Sequence, residues 1–360
     1  MTQARQRHAR FYLEYARANP EDWQWFDAEW LQIKRAWDTL NACDDPTVEE
    51  FLPVLVDLLT IRGKWQEIIA WGQRALQTAN ASNDPETQAR VHQWIGNAYS
   101  HSGQHRLALE HYRSALEIVR QTGTNGEYFQ RAIVMNIGNV YANLGDYQQA
   151  IVSYEEALVL IRQSRDQKME CRCLLDLGNV LAHQNAEKAR DYFEQALSLA
   201  RKIGDRHTEA LALGNMANLV EDVSRRVEYL QEALHISREI GAVQAEIAWV
   251  GNLGIAYADV DLNQALAYVT EAIHIARQIN DRKQETVYMY VLAEIHIRAG
   301  QPQRAVQILE DRLSIAQQNG YEVEIIALND LAISYPNFCA TGSRIVKNGL
   351  GSQDFALYQL

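Results

Sequence analysis

Cysteine and proline are both scarce in this chain of 360 residues, which has four cysteines and six prolines. Four cysteines without a C-x-x-C pair provide neither a disulfide framework nor a zinc site. Cys171 and Cys173 lie on a predicted helix, where residues two apart do not share a face. The low proline count leaves long stretches of the chain free to form uninterrupted helices.

Long apolar runs and an excess of positive charge are also missing. No apolar stretch is long enough to span a bilayer, and residues 1–8 lack the apolar core of a signal peptide. We therefore expect a cytoplasmic protein. The net charge of −12 argues against nucleic acid and against an anionic membrane surface as partners, because both require basic patches. It favours a partner with a basic or neutral contact segment.

Sequence motifs of catalysis are absent as well. The chain has no G-x-S-x-G, no H-E-x-x-H, no Rossmann glycine pattern and no phosphate-binding loop. We expect no enzyme activity, cofactor or metal. His101 and His105 are four residues apart but flank Gly103, which predicts that they belong to different helices. With His92 and His111 they are interpreted as solvated histidines of turns and surfaces.

What the chain does contain is a repeat with a period of ~40 residues. Copies two to five have a Gly-Asn pair in the first helix. In most copies a turn, a small anchor residue and an Ala-Leu pair in the second helix follow. The third copy is the clearest, with Gly138-Asn139, Gly145, Ala150, Tyr154 and Ala157-Leu158. The anchor positions of the seven copies are Ile68, Ala108, Ala150, Ala189, Arg226, Ala265 and Ala305. A period in this range predicts an all-α solenoid, in which no unit buries its apolar face alone.

The spacing of the repeat has a physical reason. Small residues where two helices cross let the backbones approach, and a large side chain at Ala150 would overpack the joint by ~1–3 kcal/mol. Tyr112, Tyr154 and Tyr192 are predicted to fill the groove beside the anchors. Arg226 replaces the small anchor in repeat five, which predicts local distortion there.

These residues resemble the tetratricopeptide repeat over roughly 47–335. The longer unit of ~40 residues is similar to Leu-Gly-Asn-type scaffolds and kinesin light chain. The resemblance implies a right-handed superhelix of antiparallel helix pairs whose first helices line a concave groove. We expect an N-terminal capping helix pair in 1–42, seven repeats in 43–321, an unpaired first helix of an eighth repeat in 322–335 and an irregular tail in 336–360. The tail is expected to fold back over this end, with self-association through the same end as the alternative.

The N-terminal pair carries an apolar stripe of Trp23, Phe26, Trp30, Ile33, Trp37 and Leu40. We interpret the stripe as packing on the first helix, through Phe11, Tyr12 and Tyr15, and on repeat one. Partner binding by the three tryptophans is the alternative. A second resemblance is to the segment that joins the ATPase core to the C-terminal repeats in bacterial multidomain signalling ATPases. It rests on His8-Ala9, Phe11-Tyr12-Leu13, Glu29 and Ile33-Lys34-Arg35-Ala36-Trp37. That resemblance implies a sensor module without its motor.

The candidate binding site is a row of carboxamides on the concave surface. The residue after the glycine is Asn97, Asn139, Asn179 or Asn215, and the residue two before it is Asn136, Asp176 or Asn252. Each amide offers one donor and one acceptor to an extended peptide main chain, and the resembling scaffolds use asparagines in this way. The flanking candidates are Arg90, Gln93, Asn143, Arg172, Asn218, Glu294 and Arg298.

Two alternatives to this site stay open. The asparagines are mainly structural if they bond to neighbouring backbone. The protein is instead a regulatory sensor that changes shape on ligand binding if the irregular units around Ala189 and Arg226 form a hinge.

Overall fold

The computed structural model describes residues 2–123 and 126–319, and these contain sixteen α-helices and no β-strand. The helices are α1 Thr2–Ala18, α2 Trp23–Ala42, α3 Phe51–Ile61, α4 Trp65–Ala81, α5 Pro85–His101, α6 His105–Thr122, α7 Gly126–Asn143, α8 Tyr147–Ser164, α9 Gln167–Ala182, α10 Ala186–Ile203, α11 Arg206–Ala217, α12 Val223–Glu239, α13 Val243–Tyr257, α14 Leu262–Gln278, α15 Arg282–Arg298 and α16 Pro302–Asn319. A short 3-10 helix, Pro46–Glu50, precedes α3. The helix expected at 322–335 and the tail expected at 336–360 lie outside the described residues.

Helices α3 to α8 form three successive pairs and helices α11 to α16 form three more, which confirms the α-solenoid class. The two helices of a pair are joined by short turns, so they must run antiparallel. Gly103 and Gly145 close two of these turns with a φ of 75°, a left-handed conformation that glycine adopts without steric cost. Within each half of the chain, the second helix of one pair also contacts the first helix of the next, as α4 does with α5 and α12 with α13.

The chain divides into two compact units, with the boundary between residues 181 and 182. The first unit contains α1 to α9, and the second contains α10 to α16.

In the first unit, Trp71 of α4 is the centre of an aromatic cluster that joins the N-terminal helices to repeat one. Trp37 of α2 stacks on Trp71 with 5.3 Å between ring centroids, and Phe51 meets it edge-on at 5.8 Å. The α2 stripe therefore packs on repeat one through Trp37, as predicted, but Trp23 at its start is 46% exposed. The expectation for Phe11 was wrong, because its side chain is 56% exposed. Trp25, which is not part of the stripe, instead stacks on Tyr15 at 4.2 Å.

The glycine of each Gly-Asn pair in repeats two and three lies under a buried tyrosine ring. A Cβ atom on Gly96 would lie 2.8 Å from the Tyr112 ring, and one on Gly138 would lie 2.7 Å from the Tyr154 ring. Both rings are 2% exposed. These contacts explain why the repeat combines glycine in the first helix with tyrosine in the second, and they confirm the prediction for both tyrosines.

The second unit departs from this packing in repeat four. Tyr192 was predicted to fill the space beside Ala189, but the side chain buried there is Phe193, at 1% exposure. Phe193 lies four residues after its anchor, the same distance that separates Tyr154 from Ala150. The correction follows from helix periodicity, because residues three and four apart lie on neighbouring but different parts of a helix surface.

In repeats five and six the large aromatic side chain comes from the next first helix. A Cβ atom on Gly214 of α11 would lie 2.3 Å from the Trp249 ring of α13. Gly251 of α13 lies in the same way under Tyr288 of α15, whose hydroxyl donates a 3.3 Å hydrogen bond to the Ala248 carbonyl. The aromatic contact therefore joins neighbouring repeats in this unit.

Repeat five is locally irregular around Arg226. Its first helix, α11, has only 12 residues, and the Arg226 guanidinium donates to the Val220 carbonyl through Nε at 3.0 Å and Nη2 at 2.7 Å. The large side chain is thus turned toward the connecting segment, where it satisfies a carbonyl beyond the end of α11.

A recurrent ion pair connects consecutive repeats in the second unit. The Nε atoms of Arg201, Arg238 and Arg277 each bind a glutamate eight residues later in the next first helix, at 2.9, 2.7 and 2.6 Å. These partners are Glu209, Glu246 and Glu285. Arg201 and Arg238 also reach Glu232 and Glu271 on the following second helix.

Candidate functional site

Asn97, Asn136 and Tyr112 form a hydrogen-bonded group across repeats two and three. The Tyr112 hydroxyl donates to Oδ1 of Asn97 at 2.7 Å, and Nδ2 of Asn136 donates to the same oxygen at 3.2 Å. Both asparagines are half-buried, and they lie on the first helices α5 and α7. One acceptor oxygen therefore connects a first helix to its own second helix and to the next first helix.

Asn139 repeats half of this arrangement one repeat further on. The Tyr154 hydroxyl donates to its Oδ1 atom at 2.6 Å, while its Nδ2 atom makes no hydrogen bond to any residue in the described ranges. Burial raises the pKa of both Tyr112 and Tyr154, so each hydroxyl keeps its proton and acts as the donor. The Oδ1 atom of Asn139 is thus used by a hydrogen bond within the protein, whereas its Nδ2 atom can donate a hydrogen bond to a ligand.

Asp176 on α9 has the same register as Asn136 on α7, two residues before a glycine. The side chain is half-buried, and its Oδ2 atom is enclosed without a hydrogen-bond partner. Burial raises the pKa of Asp176 to about 6, against the opposing effect of the Arg172 charge. We name Asn97, Asn136, Asn139 and Asp176 the polar row.

The flanking candidates of the first unit differ in burial and in whether their side chains already form interactions within the protein. Arg90 forms an ion pair with Glu86 at 2.6 Å. Arg172 and Asn143 are exposed, and Gln93 is half-buried. Asn179 is half-buried near the end of α9 and has interactions of its own. The structure therefore brings Asn97, Asn136 and Tyr112 into direct contact, and it places the remaining candidates on the same helices.

In the second unit the candidates are more scattered. Asn215 and Asn252 are half-buried on α11 and α13, whereas Asn218 is exposed and caps the end of α11. Glu294 accepts a 3.1 Å hydrogen bond from the Tyr290 hydroxyl, and Arg298 pairs with Asp259 at 2.5 Å.

Two of the four histidines depart from the sequence interpretation. His92 and His111 are half-buried, and their Nδ1 atoms lie 3.0 Å apart. Burial, with a smaller effect from His111, lowers the pKa of His92 to about 4, and the two rings are partly withdrawn from solvent. His101 is exposed and stacks on Trp65. In residues 2–123 and 126–319, no three histidine, cysteine or acidic side chains come together as metal ligands.

The part of the site that sequence analysis missed is the pair of tyrosine hydroxyls. The asparagine-to-tyrosine separation is fifteen residues in both repeats, so the regular spacing could have revealed the pair.

The described helices include none that is both long and apolar enough to cross a membrane.

Comparison with known families supports the repeat assignment. Tetratricopeptide repeat models match residues 54–121 and 130–202, and a further one matches residues 289–320. A model of anaphase-promoting complex subunit 5 matches residues 248–296. These matches show that the chain contains tetratricopeptide repeats. A search of curated proteins finds no match to its sequence.

Solved structures with the same fold include signalling proteins. A Signal Transduction ATPase with Numerous Domains (STAND) protein with a tetratricopeptide repeat sensor, from Pyrococcus horikoshii, matches with a TM-score of 0.61 and 20% identity. The match covers 88% of this chain and 48% of that protein, so the chain spans about half its length.

Two further matches are structures of complexes. A Rap protein complexed with Competence and Sporulation Factor has a TM-score of 0.56 and 15% identity, with 91% of this chain and 99% of that chain covered. NprR in complex with its cognate peptide NprX has a TM-score of 0.55 and 13% identity, with 91% and 96% covered. At these identities the matches establish a common fold.

Proposed function

We propose that this chain is a non-catalytic scaffold that binds an extended peptide segment along the polar row of α5, α7 and α9. The observation that carries the proposal is the Nδ2 atom of Asn139, which is held in place through its Oδ1 bond to the buried Tyr154 and has no described partner. A donor fixed before binding loses little conformational entropy when a ligand arrives.

The recurrence of the asparagines supports an extended ligand. An extended peptide exposes main-chain carbonyls at regular intervals, and each needs a donor when it leaves water. Asn97 and Asn139 present equivalent amides on successive first helices, each fixed by a tyrosine. Their donors recognise main chain irrespective of the peptide's side chains.

Two further observations support a peptide ligand. The net charge of −12 favours a basic or neutral segment. The Rap protein and NprR structures, which have this fold, contain Competence and Sporulation Factor and a cognate peptide, respectively.

The test uses linear peptides selected on the wild-type protein from a random display library. Asn139→Asp keeps the oxygen that accepts from Tyr154 and replaces the Nδ2 donor with a second oxygen. We expect it to weaken peptide binding by about tenfold or more, equivalent to ~1.4 kcal/mol.

The matched control is Asn80→Asp, which makes the same change of side chain and charge at an exposed residue of α4, outside the polar row. We expect its affinity to stay within about threefold of wild type, a difference below ~1 kcal/mol. Failure to select any peptide, or equal binding by wild type and Asn139→Asp, would contradict the proposal.

A second candidate function is a sensor that changes shape on ligand binding. It is favoured by repeat five, where α11 is short and Arg226 binds the Val220 carbonyl. Small-angle scattering of the full chain with and without a selected peptide tests it, and identical profiles would contradict it.

A further inference from the structure

Asp176 is the one carboxylate of the polar row, and it lies at a register position where an amide could donate a hydrogen bond to the neighbouring repeat. On α7, Asn136 occupies the equivalent register and donates through Nδ2 to the Asn97 oxygen at 3.2 Å. An ionised carboxylate has no hydrogen to donate. Asp176 therefore cannot make the cross-repeat bond that its counterpart makes.

The Asp176 carboxyl is also left without compensation inside the protein. Its Oδ2 atom is enclosed, and no described residue donates to it. Arg172 lies one helical turn away and affects Asp176 through its charge, but it remains exposed and forms no ion pair with it. Burial and the Asp176 charge raise the pKa of the Tyr154 hydroxyl and of the Cys173 thiol, so both groups keep their protons.

Leaving a partly buried carboxyl unpaired costs free energy that an asparagine or a leucine would avoid. The side chain is half-buried rather than sealed, so a group arriving from solvent can reach it. A cationic donor that reaches the carboxyl from solvent would balance its charge and form a charge-assisted hydrogen bond, which is stronger than a neutral one.

We propose that Asp176 binds a lysine or arginine side chain of the peptide and so makes the polar row selective for a basic residue at one position. The inference rests on the proposed function, to which it adds the chemical class of the ligand. Asn97 and Asn139 hold the main chain, and Asp176 recognises one side chain.

The probes are four acetylated and amidated peptide libraries that differ at one fixed central position, which is Lys, Arg, Glu or norleucine. The surrounding mixed positions omit Lys and Arg, so the fixed residue alone supplies positive charge. Binding of each library to immobilised full-length protein is measured for wild type, Asp176→Asn and Asp57→Asn. Asp57 is an exposed carboxylate on α3 and provides the same change of net charge.

We expect wild type and Asp57→Asn to retain the Lys and Arg libraries at least about tenfold better than the norleucine library. Asp176→Asn should retain all three about equally. An unchanged preference in Asp176→Asn, or binding by wild type without a preference for basic residues, would overturn this inference and leave the proposed function standing. Absence of binding to all four libraries by wild type would overturn both.

Discussion

The Tyr154 hydroxyl lies 2.6 Å from Oδ1 of Asn139, and this hydrogen bond joins the two helices of repeat three. The same tyrosine ring lies over Gly138, the residue before Asn139. Core packing and the orientation of a candidate binding group are therefore determined by one side chain. Substitutions of Tyr154 separate the two roles.

Truncation of Tyr154 should show how much its ring contributes to the free energy of unfolding. Tyr154→Ala removes a ring that is 2% exposed, and we expect a loss of ~3–5 kcal/mol in the free energy of unfolding. Tyr154→Phe should lose only ~1 kcal/mol, because the hydrogen bond alone is removed. Chemical denaturation monitored by circular dichroism measures both. A loss below ~1 kcal/mol for Tyr154→Ala would mean that the ring is not part of the core.

Gly138→Ala tests the close approach of the Tyr154 ring to the backbone at Gly138. Alanine favours a helix interior over glycine by ~1 kcal/mol, but the new Cβ atom would lie 2.7 Å from the Tyr154 ring. Overpacking costs ~1–3 kcal/mol, so we expect net destabilisation in the wild-type background. In a Tyr154→Leu background the same substitution should be neutral or stabilising. Equal effects in both backgrounds would contradict the contact.

The sequence was sufficient to predict the fold class, the phase of the repeat and the tyrosines of repeats two and three. These predictions were reliable because anchor, glycine and aromatic side chain all belong to one helix pair joined by a short turn. Tyr192 matches the tyrosines of the other copies in residue type, but burial depends on the position around the helix, and Phe193 has the buried position.

Contacts between repeats were harder to predict. Trp249 and Tyr288 fill the space over glycines of the preceding repeat, and a pattern within one repeat does not reveal such a partner. The ion pairs of Arg201, Arg238 and Arg277 with glutamates eight residues later were detectable as a regular spacing. The unpaired Asp176 oxygen depends on burial, which only the packed structure reveals.

Asp176→Asn should stabilise the protein at neutral pH and above. Burial raises the pKa of Asp176 to about 6 from an ordinary 3.8. The folded state therefore favours the neutral form of the Asp176 carboxyl. The contribution of this group to the free energy of unfolding is fully present below pH ~4 and is lost as the pH rises through 6. We expect a gain of ~1–2 kcal/mol at pH 8, discounted for partial exposure, and little gain at pH 4.

Denaturation of wild type and Asp176→Asn at both pH values measures this difference. Asp57→Asn serves as the control and should change the free energy of unfolding by less than ~0.5 kcal/mol. A destabilised Asp176→Asn at pH 8 would contradict the view that this carboxyl is uncompensated.

Glu285 should show the opposite dependence on pH. The side chain is 1% exposed and accepts hydrogen bonds from Arg277 at 2.6 Å and Arg282 at 2.7 Å. Burial alone would raise the pKa of Glu285, but the two arginines outweigh it and lower the pKa below 4.5. Its contribution to stability is therefore present above pH 4.5 and lost as the pH falls through the lowered value.

Glu285→Gln should accordingly destabilise the protein by ~1.5–3 kcal/mol at pH 7, with a difference from wild type that shrinks in acid. Parallel urea titrations at pH 7 and pH 4 measure it. A constant difference across that range would contradict an ionised, paired Glu285.

The most direct test of the central claim is a crystal structure of the full chain with a peptide selected on it. The account predicts main-chain oxygens of the peptide within ~2.7–3.2 Å of Nδ2 of Asn97 and Asn139, with both tyrosine–asparagine bonds intact. A peptide bound to the second helices α6 and α8, away from these two amides, would contradict the assignment of the polar row as the binding surface.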